Sequence, residues 1–532
     1  MLALLNDKNT YTPISSDLTN SVSKKIDSLI KNLKNDSKIT EEQYKKMCPK
    51  NAVTPKIYGL VKIHKGIQYP LRPIVSFIGS PCYGLGKFMA QILRDMLPRG
   101  EYEIINSLNL KQHINNRVIP RDMLMVSLDV VSLFSKISLD LIKSSLRHMW
   151  SKYRVSPEHN FTLDVILEIV ELMNNSSYFV FDKTFYRQIS GMPMGSPISP
   201  ILASFCMEYV IDAARIKSND LLGTDPQCVF IYVDDLFCLM PRTHVTDMVD
   251  IFNSIHADIK FTHEIETEGR LSYLDLQVIR CGDELVTNWY CKSYCSNRLI
   301  NYNSSHNFKQ KIAVIKNLKY RIFSLSDDRF EAENKKRFRD ICRLNDYPDH
   351  IINCILHRPL ATNTTTSTAG NIKYHAFPDI FPITVKLNRL LKPFNVKLGC
   401  YNKNKINNIY TKLKDKTDDN NKSSLVYSIP CKDCKLSYIG TTGNKLNIRL
   451  QQHRNDCKPK YANHNKTALS NHHFNTGHTF DFVNAKVLES EANFKKRLIA
   501  ETLHIKKNKK TIVNFKTDSE QLFHYDIFFS HT

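Results

Sequence analysis

The sequence predicts an α+β protein with more than one domain. Between residues 54 and 300, strand-like apolar runs alternate with segments of helical apolar spacing, a mixture typical of α/β or α+β domains. The chain has 532 residues, enough for two to four domains with cores of their own. Polar stretches at 361–370 and 402–424 then separate this region from a compact module at 425–532.

The first half of the chain is predicted to be one α+β region preceded by a short segment. Residues 1–50 are polar and lysine-rich, and the spacing at 22–33 predicts an amphipathic helix. Residues 51–300 carry the strand-like runs, and a helix predicted at 163–173 should pack on their sheet.

The second half is predicted to begin with helices. Residues 301–360 are basic and have helical spacing. The interval 361–424 is predicted to be a linker that contains a short apolar and basic block at 377–396. Residues 425–532 form the compact module, which has motifs of its own.

Composition limits the partners. Hydrophobic residues make up 42% of the chain, which is typical of a globular protein, and the net charge of +22 favours a polyanion. General basicity would explain the same charge. The 14 cysteines are scattered, and neither a secretory signal nor an apolar stretch of about 20 residues occurs, so we expect reduced thiols or metal ligands and no membrane partner.

Three aspartates stand at the ends of two predicted buried strands, 123–128 and 228–233. Asp129 follows the first strand, while Asp234 and Asp235 occupy the turn of an apolar hairpin. Carboxylates so close to a core are costly unless cations neutralise them. Two divalent ions about 4 Å apart could bind both oxygens of a phosphoryl transfer, and Mg²⁺ prefers such ligands. The alternative is a hairpin with a solvated Asp-Asp turn.

The neighbouring motifs occur in a fixed order around these aspartates. They are Leu-Arg-Pro-Ile-Val at 71–75, Asp-Val-Val-Ser-Leu-Phe at 129–134, Gln-Ile-Ser-Gly-Met-Pro-Met-Gly-Ser-Pro at 188–197 and Tyr-Val-Asp-Asp at 232–235. This series resembles the motifs of reverse transcriptases. Within them it is similar to the Penelope-like elements, whose signatures resemble residues 58–65, 129–134, 259–264 and 302–306.

The resemblance implies a right-hand polymerase of fingers, palm and thumb, and a role for each matching residue. Asp129, Asp234 and Asp235 would hold two Mg²⁺ ions, for which Mn²⁺ could substitute. Arg72 with Lys62 or Lys65 would bind the triphosphate of the dNTP, and Phe134 would lie under its sugar. Gln188 and the segment of Gly191 and Gly195 would lie at the template and incoming base. Tyr232 is also expected to contact the substrate. Lys260 would protonate pyrophosphate or be simply solvated. Residues 301–360 would be the thumb, which grips the duplex by its A-form shape.

A second set of motifs lies in the last module. Leu-Val-Tyr at 425–427 and Tyr-Ile-Gly at 438–440 are followed by Arg449, His453, Glu501 and Asn514. This pattern resembles the GIY-YIG endonucleases, although Leu425 stands where the family name has its first Gly. The resemblance implies a small α/β nuclease domain that nicks DNA. Glu501 would bind one Mg²⁺, Tyr427 or Tyr438 would activate water, and Arg449 would offset phosphate charge. The alternative makes Glu501 and Arg449 ordinary surface residues.

A metal site is predicted inside this module. Cys431 and Cys434 form a Cys-x-x-Cys, and His472 and His478 follow. Two thiolates and two imidazoles suit tetrahedral Zn²⁺, and the arrangement resembles the zinc-binding insertion of the Penelope-like branch. His473 could replace His472, because spacing does not distinguish them.

Together the resemblances imply target-primed reverse transcription. The nuclease would nick target DNA, and the polymerase would extend that primer on the element's own RNA transcript. Work at chromatin in the nucleus is expected, and the import signal or DNA contact would come from the basic residues Lys506, Lys507, Lys509 and Lys510. The alternatives are a domesticated nucleic-acid-binding protein without catalysis and a telomerase-like reverse transcriptase.

Overall fold

The computed structural model describes most of the chain. It covers residues 1–63, 69–153, 160–359, 372–380, 382–402, 409–410, 412–460 and 467–518. Lys65 and the polar run at 361–370 therefore lie outside the described residues.

The amino-terminal half contains ten helices and twelve strands among its described residues. In chain order they are α1 (Leu2–Leu5), β1 (Tyr11–Ile14), α2 (Thr19–Asn35), α3 (Glu41–Met47), β2 (Lys56–Val61), β3 (Leu71–Ser76), α4 (Tyr83–Met96), α5 (Ser107–Ile114), β4 (Met123–Val130), α6 (Leu133–Lys136), α7 (Leu139–Tyr153), α8 (Leu163–Asn175), β5 (Tyr178–Phe181), β6 (Thr184–Gln188), α9 (Ser199–Leu222), β7 (Gln227–Tyr232), β8 (Asp235–Pro241), α10 (Val245–Ser254), β9 (Phe261–Ile265), β10 (Arg270–Tyr273), β11 (Leu276–Cys281) and β12 (Glu284–Trp289). The predicted helix at 163–173 and the strands at 123–128 and 228–233 are thus confirmed.

A five-stranded sheet has the order β1-β6-β5-β2-β3. Strand β1 pairs antiparallel with β6, from Tyr11 opposite Gln188 to Ile14 opposite Phe185. The predicted helix at 22–33 is confirmed as part of α2, which buries Val22, Ile26 and Ile30. The amino-terminal segment is therefore part of the first hydrophobic core, the cluster that contains Val22, Ile26 and Ile30, and is not a separate appendage.

The four-stranded sheet β7-β8-β4-β9 is antiparallel and carries the three aspartates. Strand β4 is buried from Met123 to Val126, and Asp129 near its end is exposed. Helix α9 begins with proline in its first turn and ends at Gly223, whose φ of 68° suits a left-handed cap. Helix α9 contacts α7 and α10, and its apolar side chains belong to the same core as those of β4 and β8.

A second core joins a small sheet to the following helices. The sheet has the order β10-β11-β12, and the helices are α11 (Phe308–Leu325), α12 (Glu331–Leu344) and α13 (Asp349–Leu356). The buried side chains include Val278, Ile315 and Phe338. The basic helical region predicted at 301–360 therefore packs on the sheet that follows the aspartate-bearing one.

The predicted apolar and basic block at 377–396 belongs to a larger β-α-β unit. It consists of β13 (Lys373–Pro378), α14 (Ile383–Leu391) and β14 (Val396–Tyr401). The two strands pair in parallel, from Lys373 opposite Val396 to Pro378 opposite Tyr401. Parallel pairing requires a crossover, which α14 supplies.

The last module is a three-stranded antiparallel sheet with helices on both faces. Its elements are β15 (Leu425–Pro430), β16 (Ser437–Thr442), α15 (Leu446–Asp456), α16 (Ala468–Thr476), β17 (Lys486–Ser490) and α17 (Phe494–Lys507), with the strand order β16-β15-β17. Strand β15 is buried on both faces: Leu425, Tyr427 and Ile429 pack with α15 and α16, and Val426 packs with α17.

The predicted α+β class is confirmed by this mixture of mainly antiparallel sheets and packed helices. Among the helices in the described ranges, none combines the length and the apolar character that crossing a bilayer requires.

Candidate active sites

The three aspartates meet at one end of the four-stranded sheet. Asp129 and Asp235 are register partners on β4 and β8, which places their Cα atoms about 5 Å apart. Asp234 precedes Asp235 at the turn of the β7–β8 hairpin. Val233 in this turn has a φ of 61°, which is strained for a β-branched residue. This turn places Asp234 and Asp235 immediately after Val233, at the end of the hairpin.

These carboxylates are held in a partly buried and mutually repulsive setting. Burial, followed by repulsion from Asp234 and Asp129, raises the pKa of Asp235 to about 6. Burial also raises the pKa of Asp234, with Asp129 adding to the effect, while Arg72 and Lys62 oppose it. Partly buried carboxylates that repel one another ionise more easily when a cation is bound between them, as in metal sites built from carboxylates.

The three carboxylates do not gather around one point. Among the described residues, the ligand oxygens of Asp129, Asp234 and Asp235 do not all lie within 4.8 Å of one another. Carboxylate oxygens are ligands that divalent cations such as Mg²⁺ prefer, so these residues could hold divalent metal.

An open cleft of about 650 Å³ adjoins the aspartates. Its lining includes Asp129, Asp235, Tyr232, Thr262, Tyr273 and Lys292. The Tyr273 hydroxyl donates to the backbone oxygen of Asp235 at 2.7 Å, and so fixes the hairpin from β10. The positive charge of Lys292 opposes the rise in the pKa of Asp235. Sequence analysis missed Tyr273 and Lys292, because neither belongs to a motif and both reach the site only through the fold.

The predicted phosphate-binding cations lie on the neighbouring sheet. Arg72 on β3 is opposite Leu60 on β2 and is exposed, and the Lys62 backbone N–H donates to Pro70 O at 2.9 Å just beyond these strands. Both residues act on Asp234, so the structure brings this pair to the aspartates. The ammonium of Lys260 instead donates to Asn253 O at 2.6 Å.

The segment predicted to meet template and base is shaped by contacts within the protein. A Cβ on Gly195 would lie 2.2 Å from Val75 O, and one on Gly191 would lie 2.5 Å from Ser135 O. Both positions have positive φ, so glycine is required by the backbone packing of this loop. The Gln188 side chain is 7% exposed and donates to Ser190 O at 2.9 Å. The Gln188 side chain therefore supports the loop, and the approach of this segment to template and incoming base stays a prediction.

Phe134 and Tyr232 have different surroundings. Phe134, in α6, is partly buried against the first core, and its carbonyl accepts from Met192 N at 2.6 Å. Tyr232 is 39% exposed and faces the cleft. Tyr232 is thus available to a substrate, while Phe134 joins the aspartate motif to the loop of Gly191.

In the last module, Tyr427 lies at the centre of a buried hydrogen-bonded group. Its hydroxyl is 2.8 Å from His453 Nε2 and accepts from Arg449 Nε at 3.2 Å. Burial raises the pKa of Tyr427 to about 12, with Arg449 opposing the shift, and lowers the pKa of His453 to about 3. His453 Nδ1 has no hydrogen-bond partner among the described residues. The imidazole is therefore neutral and its Nε2 is tied to the phenol.

Gly440 makes this arrangement possible. It is the register partner of Tyr427, and a Cβ there would lie 2.8 Å from the Tyr427 hydroxyl and 2.8 Å from Tyr438 Cε1. Both tyrosine rings thus lie against a backbone without a side chain. Leu425, where the pattern departs from Gly, is fully buried beside these residues and packs in the core.

Glu501 on α17 faces the same group. Burial, and then repulsion from Asp518, raises its pKa to about 7, while Arg449 and Arg497 oppose the shift. Asn514 accepts from Ile439 N at 2.9 Å and donates to Ile439 O at 2.8 Å, so it holds β16 in place. Tyr438 is 8% exposed, and burial raises its pKa as well. All the predicted nuclease residues are thus brought together.

Four predicted metal ligands converge at the edge of this module. The ligand atoms of Cys431, Cys434, His472 and His478 all lie within 4.8 Å of one another. His472 Nε2 is 3.7 Å from each sulfur and 3.2 Å from His478 Nδ1. His473 turns away, with its Nδ1 2.6 Å from His478 O. The structure therefore selects His472 over His473.

Comparison with known proteins adds two family matches. Residues 298–357 match the family described as animal helix-turn-helix domain, and residues 423–530 match the GIY-YIG catalytic domain. No curated protein matches the chain.

Several solved structures are similar in part. The apo telomerase of Candida tropicalis, truncated from its C-terminal domain, aligns with 10% identity and a TM-score of 0.32 over 44% of this chain and 55% of its own. The telomerase of Candida albicans with a fragment of telomeric RNA gives 9% identity and 0.38 over 57% and 58%. Sicinivirus 3Dpol, an RNA-dependent RNA polymerase, gives 12% and 0.38 over 59% and 70%. The chain thus spans a little over half the length of these telomerases.

The nuclease match coincides with the residues that the structure assembles around Tyr427. The match begins just before β15 and includes Arg449, Glu501 and the four-ligand cluster. The carboxyl-terminal part of this chain, residues 423–530, therefore belongs to the GIY-YIG catalytic domain family.

Proposed function

We propose that this chain is the protein of a Penelope-like retroelement, which nicks target DNA and extends the nicked end on an RNA template. The observation that carries the polymerase half is the pairing of Asp129 with Asp235, with Asp234 at the turn and Arg72 and Lys62 acting on it. Acids that share one strand end with fixed cations nearby suit the transfer of a nucleotide from a triphosphate.

The polymerase residues divide the work between them. Asp129, Asp234 and Asp235 would hold two Mg²⁺ ions, which supply charge stabilisation at the attacking and leaving oxygens when bound. Arg72 and Lys62 would orient the dNTP triphosphate, as the resemblance suggests. Tyr232, exposed in the cleft, is placed to meet the primer end or the nucleotide. Tyr273 positions Asp235 through the backbone.

Helices α11, α12 and α13, in the region 301–360, are proposed to hold the template duplex. Helix α11 carries five lysine or arginine residues and no acid. Lys309 and Lys316 are exposed on it, and Lys319 instead donates to Ile355 O at 3.1 Å. The match to a helix-turn-helix family over 298–357 agrees with a nucleic-acid-binding role for this region.

In the nuclease, the residues supply proton transfer and charge. The Tyr427 hydroxyl contacts both His453 and Arg449, whereas no hydrogen bond of the Tyr438 hydroxyl is found among the described residues. Tyr427 is therefore the better candidate to activate water: its hydroxyl would take a proton from water as it passes its own proton to His453 Nε2, and Arg449 would offset charge on the phosphate. Glu501 would hold one Mg²⁺, which polarises the scissile phosphate when bound.

We assign Zn²⁺ to the four-ligand cluster. A tetrahedral ion with Zn–S of about 2.3 Å and Zn–N of about 2.05 Å places ligand atoms about 3.3 Å (N to N) and 3.6 Å (S to N) apart. The observed 3.2 and 3.7 Å separations agree. Such a site joins the β15–β16 connection to α16 and should stabilise the fold.

The proposed sequence of events is nicking, then priming at the new 3′-hydroxyl, with the element's own transcript as template. This work takes place on chromosomal DNA in the nucleus. Catalysis by this chain, rather than passive binding, is supported by the intact Asp129, Arg449 and Glu501.

The polymerase half is tested by dNTP incorporation on a primed RNA template. Asp129→Asn should abolish incorporation, and Asp140→Asn, an exposed aspartate on α7, should leave it unchanged. Equal incorporation by wild type and Asp129→Asn would refute the assignment of polymerase activity to this site.

The nuclease half and its coupling are tested on a supercoiled plasmid. Glu501→Gln should prevent nicking, while Glu489→Gln, at an exposed position of β17, should not.

With RNA and dNTPs present, wild-type protein should join cDNA covalently to plasmid. Neither Asp129→Asn nor Glu501→Gln protein should form the joined product, because each lacks one of the two activities. Plasmid nicked by wild type but never joined to cDNA would contradict target priming.

A further inference from the structure

The β-α-β unit between the helical region and the nuclease has an unusual surface. Residues 372–402 include five lysines or arginines and one acid, Asp379. Asp379 is engaged by Asn307, whose side-chain amide donates to it at 3.2 Å. The unit thus presents a positively charged surface next to the start of α11.

One face of its two-stranded sheet is covered and the other is open. Helix α14 lies on the face of Val396, Leu398 and Cys400, where Asn388 Oδ1 accepts from Leu398 N at 3.0 Å. Side chains alternate along a strand and register partners point to the same side. The opposite face therefore carries three pairs: Tyr374 beside Lys397, Ala376 beside Gly399, and Pro378 beside Tyr401.

This open face is aromatic at both ends and flat in the middle. Tyr374 is 67% exposed and Tyr401 is 43% exposed. Four residues separate their register positions, about 13 Å along the strands. Ala376 and Gly399 form a floor without bulky side chains between them. A unit of two strands and one helix encloses little hydrophobic core, and in α14 only Thr384 is buried. The two tyrosine rings therefore do not serve as core side chains.

We infer that this open face binds single-stranded DNA. Bases stack on Tyr374 and Tyr401, and Lys397 with the neighbouring cations neutralises phosphates. Duplex is excluded, because its bases are already stacked on one another. The choice of DNA over RNA rests on the proposed function: the nicked strand is the one molecule that both active sites must handle, and this unit lies between them in the chain. The face would hold that strand during its transfer.

The test uses full-length protein and a 12-nucleotide single-stranded DNA that contains 5-iodouracil, without divalent metal or dNTPs. Photo-cross-linked peptides are identified by mass spectrometry, and we expect adducts at Tyr374 and Tyr401. Alanine at either tyrosine should lower cross-linking and affinity about 10-fold, while phenylalanine should retain both, since stacking needs only the ring.

Two further variants separate a binding role from a folding role. Valine at Gly399 would fill the floor, and its Cβ would meet nothing nearer than His375 O at 3.7 Å, so the unit should still fold. We expect Gly399→Val to reduce cross-linking as strongly as either alanine variant. Lys397→Gln on the open face should weaken binding, and Lys386→Gln on α14 should not.

Three results would overturn the inference: adducts only outside residues 372–402, full cross-linking by Gly399→Val, or cross-linking of residues 372–402 to RNA or duplex of the same length that equals or exceeds their cross-linking to single-stranded DNA. Plasmid nicking and dNTP incorporation by wild type test the proposed function separately, because the cross-link requires neither activity.

Discussion

Alanine at Gly440 should disable the nuclease by moving the phenol of Tyr427. The new Cβ would lie 2.8 Å from the Tyr427 hydroxyl, 3.1 Å from its Cζ and 2.8 Å from Tyr438 Cε1. Favourable contacts between carbon atoms begin at about 3.5 Å, so both rings must retreat by about 0.4 to 0.7 Å. The 3.2 Å hydrogen bond from Arg449 to Tyr427 is already long, and such a retreat would break it.

The size of the effect follows from these contacts. Overpacking of a filled core costs about 1–3 kcal/mol of unfolding free energy. A misplacement approaching 1 Å in a catalytic group lowers a rate by about 100-fold. We therefore expect Gly440→Ala to fold with a melting temperature several degrees lower and to nick plasmid about 100-fold more slowly.

Gly443→Ala is the matched control. The one atom within 4 Å of its added Cβ would be Arg497 Nη2, at an ordinary contact distance of 3.6 Å. Both stability and nicking should therefore stay near wild type. Tyr427→Phe removes the hydroxyl contact but also leaves His453 and Arg449 without a partner, so the two changes are compared in a double-mutant cycle. Gly440→Ala should cost less stability in the Tyr427→Phe background than in wild type. Nicking by Gly440→Ala within threefold of wild type would refute the reasoning. An equal loss of stability in both backgrounds would show that the strain arises elsewhere.

Three further predictions concern the metal cluster, the aspartates and Lys152, whose side chain is partly buried. Wild-type protein should contain about one Zn²⁺ per chain by elemental analysis; Cys434→Ser should lose this metal and several degrees of melting temperature, whereas His473→Ala should keep it, because His473 Nδ1 faces His478 O. Because Asp235 holds a proton up to pH about 6, the Mg²⁺ needed for half-maximal incorporation should rise roughly 10-fold per unit below pH 6 and level off above 7; a flat profile would contradict this. Lys152→Met should cost about 3–5 kcal/mol in denaturant unfolding, since Glu208, 2% exposed, and Asp212 lose the ammonium that each meets at 2.7 Å; a loss below about 1 kcal/mol would refute that role.

The sequence by itself determined the elements and the chemical groups. Periodicity placed α2, α8, β4 and β7, because an apolar repeat reports which side of an element is buried. The order of motifs around the aspartates and tyrosines identified which residues belong to each site. These signals are local, so they survive without knowledge of the fold.

Only the tertiary structure decided which residues meet. The choice of His472 over His473, and the contact of Tyr427 with His453, depend on how helices α15 and α16 pack on β15. Tyr273 supports Asp235 across 38 residues of chain, and no motif marks it.

The same limit applied to the larger architecture. Nothing local shows that β1 completes the sheet beside β6, or that β13 and β14 pair in parallel to leave Tyr374 and Tyr401 on one open face. Register between distant strands is set by the free energy of the whole packed core. A sequence pattern states which side chains should be buried, and the packed fold alone determines their neighbours.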